Sequence, residues 1–257
     1  MSALVLGIDT ATERTVIALG EGDAGEVRAL AVEEIDAPRA ALGRLLPALA
    51  ELLDREGSTP ADISEVVVGR GPGSFTGVRI GVATAKGLAH GLGVALYGVG
   101  TLDTIAWRLA REGHGLLGVV GDAMRGEVYP ALFELEEGVA TRLSADRVAD
   151  PADVAAEWAA LGRPLLLAGN ALDKHGPVFV EALGEHMTCA SAEFRLPTGI
   201  GLLAAYARVR SVAEGGPVAG EDATGSPGTG DPGTLLPIYT RLSDAEEAER
   251  ARQGSAQ

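Results

Sequence analysis

The sequence predicts an α/β protein of two related lobes, each a mixed sheet flanked by helices. First, residues 4–20, "LVLGIDTATERTVIALG", and residues 116–135, "LLGVVGDAMRGEVYPALFEL", share one plan. Each has an apolar strand, an aspartate at its end (Asp9 and Asp122), a short polar turn with an arginine, and a second strand. Second, each half then continues in one order, strand, strand, strand, helix, strand, helix. A dinucleotide-binding fold instead alternates strand and helix from its start. Third, 257 residues of which 46% are hydrophobic can bury a substantial core.

In the first half, "ALVLGI" (3–8), "TVIALG" (15–20) and "EVRALAVEEI" (26–35) are aliphatic and β-branched, as strands require. A helix is expected from Pro38 to Arg55, where leucines 42, 45, 46, 49, 52 and 53 follow a 3.6-residue period and form a stripe on one face. Pro47 lies inside it and is expected to kink or tighten that helix, because it donates no backbone hydrogen bond. "EVVVGR" (65–70) is a buried strand, followed by a glycine-rich loop, a helix from Phe75 to Gly91, the strand "GVALYGV" and the helix "TLDTIAWRLAREG". The second half offers a third strand around "GVATRLSADRVA", a helix over 152–161, the strand "PLLLAGN", and helices over 173–183 and 198–212. Gly215 to Gly233 is dense in Gly and Pro and cannot repay its ordering entropy, so a mobile loop is expected. Beyond it, order returns, with Ser243 or Asp244 as the cap of a charged helix. The expected division is a lobe over 1–112, a lobe over 113–214, the loop 215–233, and a segment 234–257 that docks on the body.

The formal net charge is -15, without a long block of one sign. Unaided binding to a nucleic-acid backbone is disfavoured, since it needs clustered cations. Cys189 is the single cysteine, and no Cys-x-x-Cys or His-x-x-x-His spacing occurs, which speaks against a disulfide or a structural metal and for a reducing compartment. "MSALVLGIDT" has no basic leader region and no apolar run approaches 18 residues, so a cytoplasmic protein without membrane association is expected.

The glycine loop "GRGPGSFTGVRIG" (69–81) stands where phosphate-binding loops stand. It has no Walker lysine, because neither Lys86 nor Lys174 follows a glycine, and Thr76 replaces the third glycine of the dinucleotide fingerprint. Two readings remain. The N-terminus of the following helix, near Ser74 and Thr76, can hold an anion. Alternatively, Gly71, Pro72 and Gly73 form a tight turn into a capped helix, and Gly77 and Gly81 let it approach a neighbour closely. Asp9 and Asp122, placed at strand ends facing a cleft between lobes, suit the paired acids of a two-lobed ATPase that hold metal and water. They are equally ordinary turn acids. Asp122 is followed by Ala123, Met124 and Arg125, with no Gly-Thr pair to wrap a phosphate. Hydrolysis through a nucleophile has no support: there is no Gly-x-Ser-x-Gly elbow, and His186 three residues before Cys189 reads as a chance neighbour.

The runs "GRGPGSFTGVRIGVATAKGLA" (69–89), "LGIDTATERTVIALG" (6–20), "DAMRGEVY" (122–129) and "PIYTR" (237–241) closely resemble the TsaB, or YeaZ-like, family of bacterial tRNA threonylcarbamoyladenosine biosynthesis proteins. The resemblance runs from the first strand to about Arg241. Ala41 stands where the family often carries histidine, and "PIYTR" replaces its more usual Tyr-Leu-Arg. It implies the actin-like, sugar-kinase and Hsp70 type of ATPase fold, and a non-catalytic subunit that activates a metal-holding partner, TsaD, by forming a heterodimer with it. The ATPase TsaE joins the complex, tRNA is met only through the complex, and the free chain is expected to form a homodimer. No cofactor is required by the chain itself, although a nucleotide at the partner interface is compatible with the family. The helices that would meet TsaD match residues 38–55 and 75–91. On them, Leu42, Leu45, Leu46, Leu49, Leu53, Phe75, Val78, Arg79, Val82 and Lys86 are the expected contacts. Gly71, Pro72, Gly73, Ser74, Phe75, Thr76 and Gly77 form the family's loop motif, and Asp9, Thr10 and Asp122 become a vestigial nucleotide cleft. The rival expectation is an active small-molecule kinase or ATPase of the same fold that uses Asp9.

Overall fold

The computed structural model describes residues 3–23, 25–37, 41–214 and 232–240. The first half contains β1 (Ala3–Asp9), β2 (Arg14–Asp23), β3 (Glu26–Asp36), α1 (Ala41–Arg55), β4 (Ile63–Gly69), α2 (Phe75–Leu92), β5 (Ala95–Val99) and α3 (Thr101–Ala110). The second contains β6 (Gly115–Asp122), β7 (Val128–Glu136), β8 (Val139–Arg142), α4 (Pro151–Ala159), β9 (Leu165–Ala168), α5 (Leu172–Leu183), β10 (Met187–Cys189) and α6 (Gly199–Ala213). The sheets have the orders β3-β2-β1-β4-β5 and β8-β7-β6-β9-β10, so every strand has a counterpart at the same place in the other lobe. In each sheet the first three strands pair antiparallel and the last two are added in parallel. The two-lobed fold of the actin-like type, expected from the sequence, is therefore present. Only β10, three residues long, carries too little pattern to be read in advance.

Strand alternation sets the layers. Along β1, Leu4, Leu6 and Ile8 join the core beneath α1 and α2, while Val5 joins the core beneath α6. Along β6, Leu117 and Val119 face α3, and Leu116 and Val120 face α4 and α5. The last helix of each half is thus exchanged. α3 follows the first sheet in sequence but packs on the second, α6 does the reverse, and the two helices pack on each other between the sheets. This exchange ties the lobes together through apolar cores. α1 runs through Pro47 without a break. The carbonyl that loses its donor belongs to Gly43, which is exposed, so water can satisfy it.

α6 is also pinned by charge. Glu65 on β4 accepts from the Tyr206 hydroxyl and, at 3.0 Å to each oxygen, from Arg210 Nε. Tyr206 stands edge-on to Tyr97, and burial together with the Glu65 carboxylate pushes its hydroxyl well above the ordinary phenol range. Replacing Tyr206 with phenylalanine removes one hydrogen bond to a charged group. A loss of about 1–2 kcal/mol of unfolding free energy is expected, measured by urea titration. Of the expected loop over 215–233, residues 215–231 lie outside the described residues and Pro232 and Gly233 form a turn with Thr234; the expected charged helix behind Ser243 or Asp244 also lies outside the described residues.

Candidate functional site

The glycine loop is a junction built against the turn that follows β1. Ser74 caps α2, its hydroxyl accepting from the Gly77 N–H at 3.3 Å. The Ser74 N–H donates to the Ala11 carbonyl at 2.6 Å, and the Thr10 hydroxyl donates to the Gly77 carbonyl at 2.6 Å. The two segments touch so closely that a Cβ on Gly77 would lie 2.0 Å from the Thr10 carbonyl oxygen. One on Gly69 would lie 2.0 Å from Asp9 Oδ2. The loop's glycines serve contact with its neighbour, in agreement with the close-packing reading.

Asp9 lies beneath this junction and is 1% exposed. Its carboxylate accepts from the Ala11 N–H at 2.8 Å and from the Thr101 hydroxyl at 2.9 Å, and the Thr101 oxygen accepts from the Gly71 N–H at 3.1 Å. Burial raises its pKa from 3.8 to about 6, against the lowering effect of those two hydrogen bonds. The expectation that Asp9 and Thr10 face a cleft is thus corrected: both are buried, and neither borders the cavity between the lobes.

That cavity, about 860 Å³, lies between the lobes. Ala11 to Glu13, Pro72 to Thr76, Val78 and Arg79 line it from the first lobe, and Gly121 to Arg125, Tyr129, Asn170 and Arg195 from the second. Ile238 to Thr240 complete its wall. Asp122 does border it. Asp122 Oδ1 accepts from the Met124 N–H at 3.0 Å, repeating the bond between Asp9 and Ala11, and the other oxygen pairs with Lys174. Asn170 bridges the lobes, accepting from the Asp122 N–H at 2.9 Å and donating to Glu13 at 2.8 Å. The duplication therefore extends to individual hydrogen bonds, while one acid is sealed and the other meets the cavity. Among the described residues, no three His, Cys, Asp or Glu side chains gather where they could hold a metal ion. Nor is any described helix long and apolar enough to cross a membrane.

Thr101, Asn170, Tyr129 and Arg195 were not foreseen as site residues. Thr101 gives no local signal, because its role depends on contact with a residue 92 positions away. Asn170 lies two residues beyond β9 and Arg70 directly follows β4, and the polar residue after a glycine that closes both "PLLLAGN" and "EVVVGR" could have singled it out.

The leucine stripe of α1 is placed differently from its expected role. Leu45, Leu49 and Leu53, with Val78 and Val82 of α2, belong to the first lobe's own core. The expected wide apolar outer face is thus corrected, because the stripe covers the sheet. What α1 and α2 present outward is Leu46, 55% exposed, beside Gly43, Pro47 and Ala50, together with Ala83, Gly87, the half-buried Lys86, Arg79 and Phe75. Arg79 lies over the Phe75 ring at 3.7 Å and donates to the Tyr239 hydroxyl at 3.0 Å. Leu42 lies on α1, with its side chain outside the described residues.

Fold and cleft together define a two-lobed protein of the actin-like type whose loop aspartate is sealed. A family model described as TsaD, tRNA N6-adenosine threonylcarbamoyltransferase, matches residues 35–195. The chain is 36% identical over 141 residues to the tRNA threonylcarbamoyladenosine biosynthesis protein TsaB of Bacillus subtilis, covering 55% of this chain and 61% of that relative. It is 40% identical over 137 residues to TsaB of Escherichia coli, covering 52% of this chain and 56% of the relative. The matches thus span little more than half the length of these curated relatives. The solved structure of YeaZ from Pseudomonas aeruginosa superposes with a TM-score of 0.72 at 29% identity, covering 92% of this chain and 99% of that one. The chain belongs to the tRNA N6-adenosine threonylcarbamoyltransferase family and within it is a TsaB/YeaZ-like protein.

Proposed function

We propose that this chain is a non-catalytic subunit in tRNA threonylcarbamoyladenosine biosynthesis, which activates a TsaD-type transferase by forming a heterodimer with it in the cytoplasm. The observation that carries this reading is the sealing of Asp9. The acid that a working phosphoryl-transfer cleft would need is closed off by Gly69, Thr101 and the glycine loop, and the loop's glycines are taken up by packing. The net charge of -15 supports contact with tRNA through the complex rather than through this chain. The relatives' names support the pathway.

The partner meets the outward side of α1 and α2. Leu46 supplies an apolar knob, Gly43, Ala50, Ala83 and Gly87 let a partner helix approach closely, and Phe75, Arg79 and Lys86 flank them. The same surface pairs two copies when the chain is alone. TsaE joins as a further member, and a nucleotide at the junction with TsaD belongs to the assembly rather than to this chain.

Leu46→Asp tests the docking face, because Leu46 is exposed. Aspartate at the buried Leu49 would test folding instead. On mixing with a TsaD-type transferase and size-exclusion chromatography, the wild-type chain is expected to co-elute as a heterodimer, and Leu46→Asp to weaken that complex at least tenfold while keeping its melting temperature. Co-elution unchanged by Leu46→Asp would remove the assigned face. No heterodimer with the wild-type chain would remove the reading itself. The rival kinase or ATPase requires ATP turnover by the free chain that Asp9→Asn abolishes.

A further inference from the structure

The strongest unassigned feature is the short stretch that returns to the body at residues 232–240. Its two ends are held in different ways. At the inner end, Leu235 is 2% exposed and joins the core of the first lobe. Its pocket exists because position 98 on β5 is glycine: a Cβ there would lie 2.5 Å from Leu235 Cδ1 and 2.2 Å from Arg70 Cδ. Arg70 then grips the backbone on both sides, Nε donating to the Leu236 carbonyl at 2.8 Å and its own carbonyl accepting from the Ile238 N–H at 2.8 Å. A buried leucine in a fitted hole with two backbone hydrogen bonds is a firm attachment.

The outer end is held lightly. Tyr239 is 48% exposed, its ring centroid lies 5.6 Å from that of Phe75, and its hydroxyl meets Arg79 at the surface. Thr240 hydrogen-bonds the Tyr129 hydroxyl, and Tyr129 stands in the second lobe. Exposed ring and cation contacts are weak, and a lone hydroxyl bond adds little. Ile238, Tyr239 and Thr240 nevertheless form part of the cavity wall.

We propose that Tyr239 and Thr240 are a releasable latch between the lobes, hinged on the Leu235–Arg70 anchor, and that its release admits molecules to the inter-lobe cavity. The Tyr239 contacts with Phe75 and Arg79 break first because they are the exposed ones, the single Thr240 bond to the buried Tyr129 of the second lobe then has little to support it, and the anchor keeps the latch beside its seat for closing. Phe75 and Arg79 also flank the face assigned to the partner. On that reading, a partner that engages either side chain competes with Tyr239 and so favours the open latch.

The test uses the full chain with Cys189→Ser, so that a single introduced thiol reports. Ala123→Cys places that thiol in the cavity wall, and Ala155→Cys places it in the core beneath α4, away from the cavity. With iodoacetamide as probe, Tyr239→Ala is expected to raise the labelling rate at position 123 about tenfold and to leave position 155 unchanged. The milder Tyr129→Phe should raise it by a smaller factor. Hydrogen exchange at the Ile238 amide should stay slow in both variants, because the anchor holds. Unchanged labelling at position 123 overturns the latch, and so does an equal rise at position 155, which reports general loosening. Fast exchange at Ile238 overturns the hinge. A TsaD-type partner that binds the wild-type chain is expected to raise labelling at position 123, and binding without that rise overturns the coupling alone. Absence of binding bears on the proposed function and leaves the labelling results in the free chain as they stand.

Discussion

Gly77→Ala is expected to cost about 2–3 kcal/mol of unfolding free energy, although alanine is the better helix former. A methyl group at Gly77 meets the Thr10 carbonyl oxygen at 2.0 Å, and that oxygen belongs to a backbone turn held by Asp9 and Ser74. The overlap cannot be relieved by a side-chain rotation, so α2 must move away from the turn or the turn must open. Gly87 lies on the same helix with nothing within 4 Å of the equivalent position. There the same substitution should stabilise the chain by about 0.5–1 kcal/mol, through lower backbone entropy in the unfolded state. Opposite signs on one helix, read from two urea titrations, separate close packing from helix propensity. A neutral Gly77→Ala would mean that the loop is not seated on the turn as described.

Asp9→Asn is expected to change the pH dependence of stability more than any other single substitution. Burial pushes the Asp9 carboxyl up to about 6 in the fold, from its ordinary 3.8. Between those values the folded chain binds more protons than the unfolded one, so stability falls as pH rises. The contribution is fully present below about pH 4 and is lost once pH passes about 6, a swing of about 3 kcal/mol for roughly two pH units of displacement. In the asparagine variant this swing is absent. At neutral pH the variant should therefore equal or exceed the wild type, with some of the gain offset because the Thr101 hydroxyl loses its carboxylate acceptor. Unfolding midpoints from pH 4 to pH 8 measure it, and two parallel profiles would show that Asp9 is not buried as a poorly solvated acid.

The repeat of strand, aspartate, turn and strand was legible in the sequence, because side-chain periodicity and turn chemistry are local. It led to two related lobes, each a mixed sheet with flanking helices, as the structure has them. The close-packing reading of Gly77 was legible for the same reason, since a glycine inside a helix start implies a near neighbour. The identity of that neighbour was not, because Thr10 is 67 positions away. The stripe of α1 shows where the problem lies. A 3.6-residue period says that Leu45, Leu49 and Leu53 share a face, but it carries no information on whether a partner or the chain's own sheet covers it. Here the sheet covers Leu45, Leu49, Leu52 and Leu53, while Leu46, counted in the same stripe, stays exposed. The exchange of α3 and α6 escapes for a related reason, since both candidate sheets offer each helix an apolar face. Asp9 and Asp122 looked equivalent in the sequence, and tertiary contacts alone distinguish them. Thr101 closes over the first, while the second stays at the cavity beside Lys174.

On the proposed function, Asp9 serves the fold while catalysis belongs to the partner. The most direct measurement is threonylcarbamoyladenosine formation on tRNA by a TsaD-type transferase and its companion proteins, with the wild-type chain, with Asp9→Asn, and with no chain added. Asp9→Asn should support modification at the wild-type rate, and omission of the chain should reduce that rate by at least tenfold. Loss of modification with a folded, partner-bound Asp9→Asn chain would contradict the claim and return the acid to chemistry.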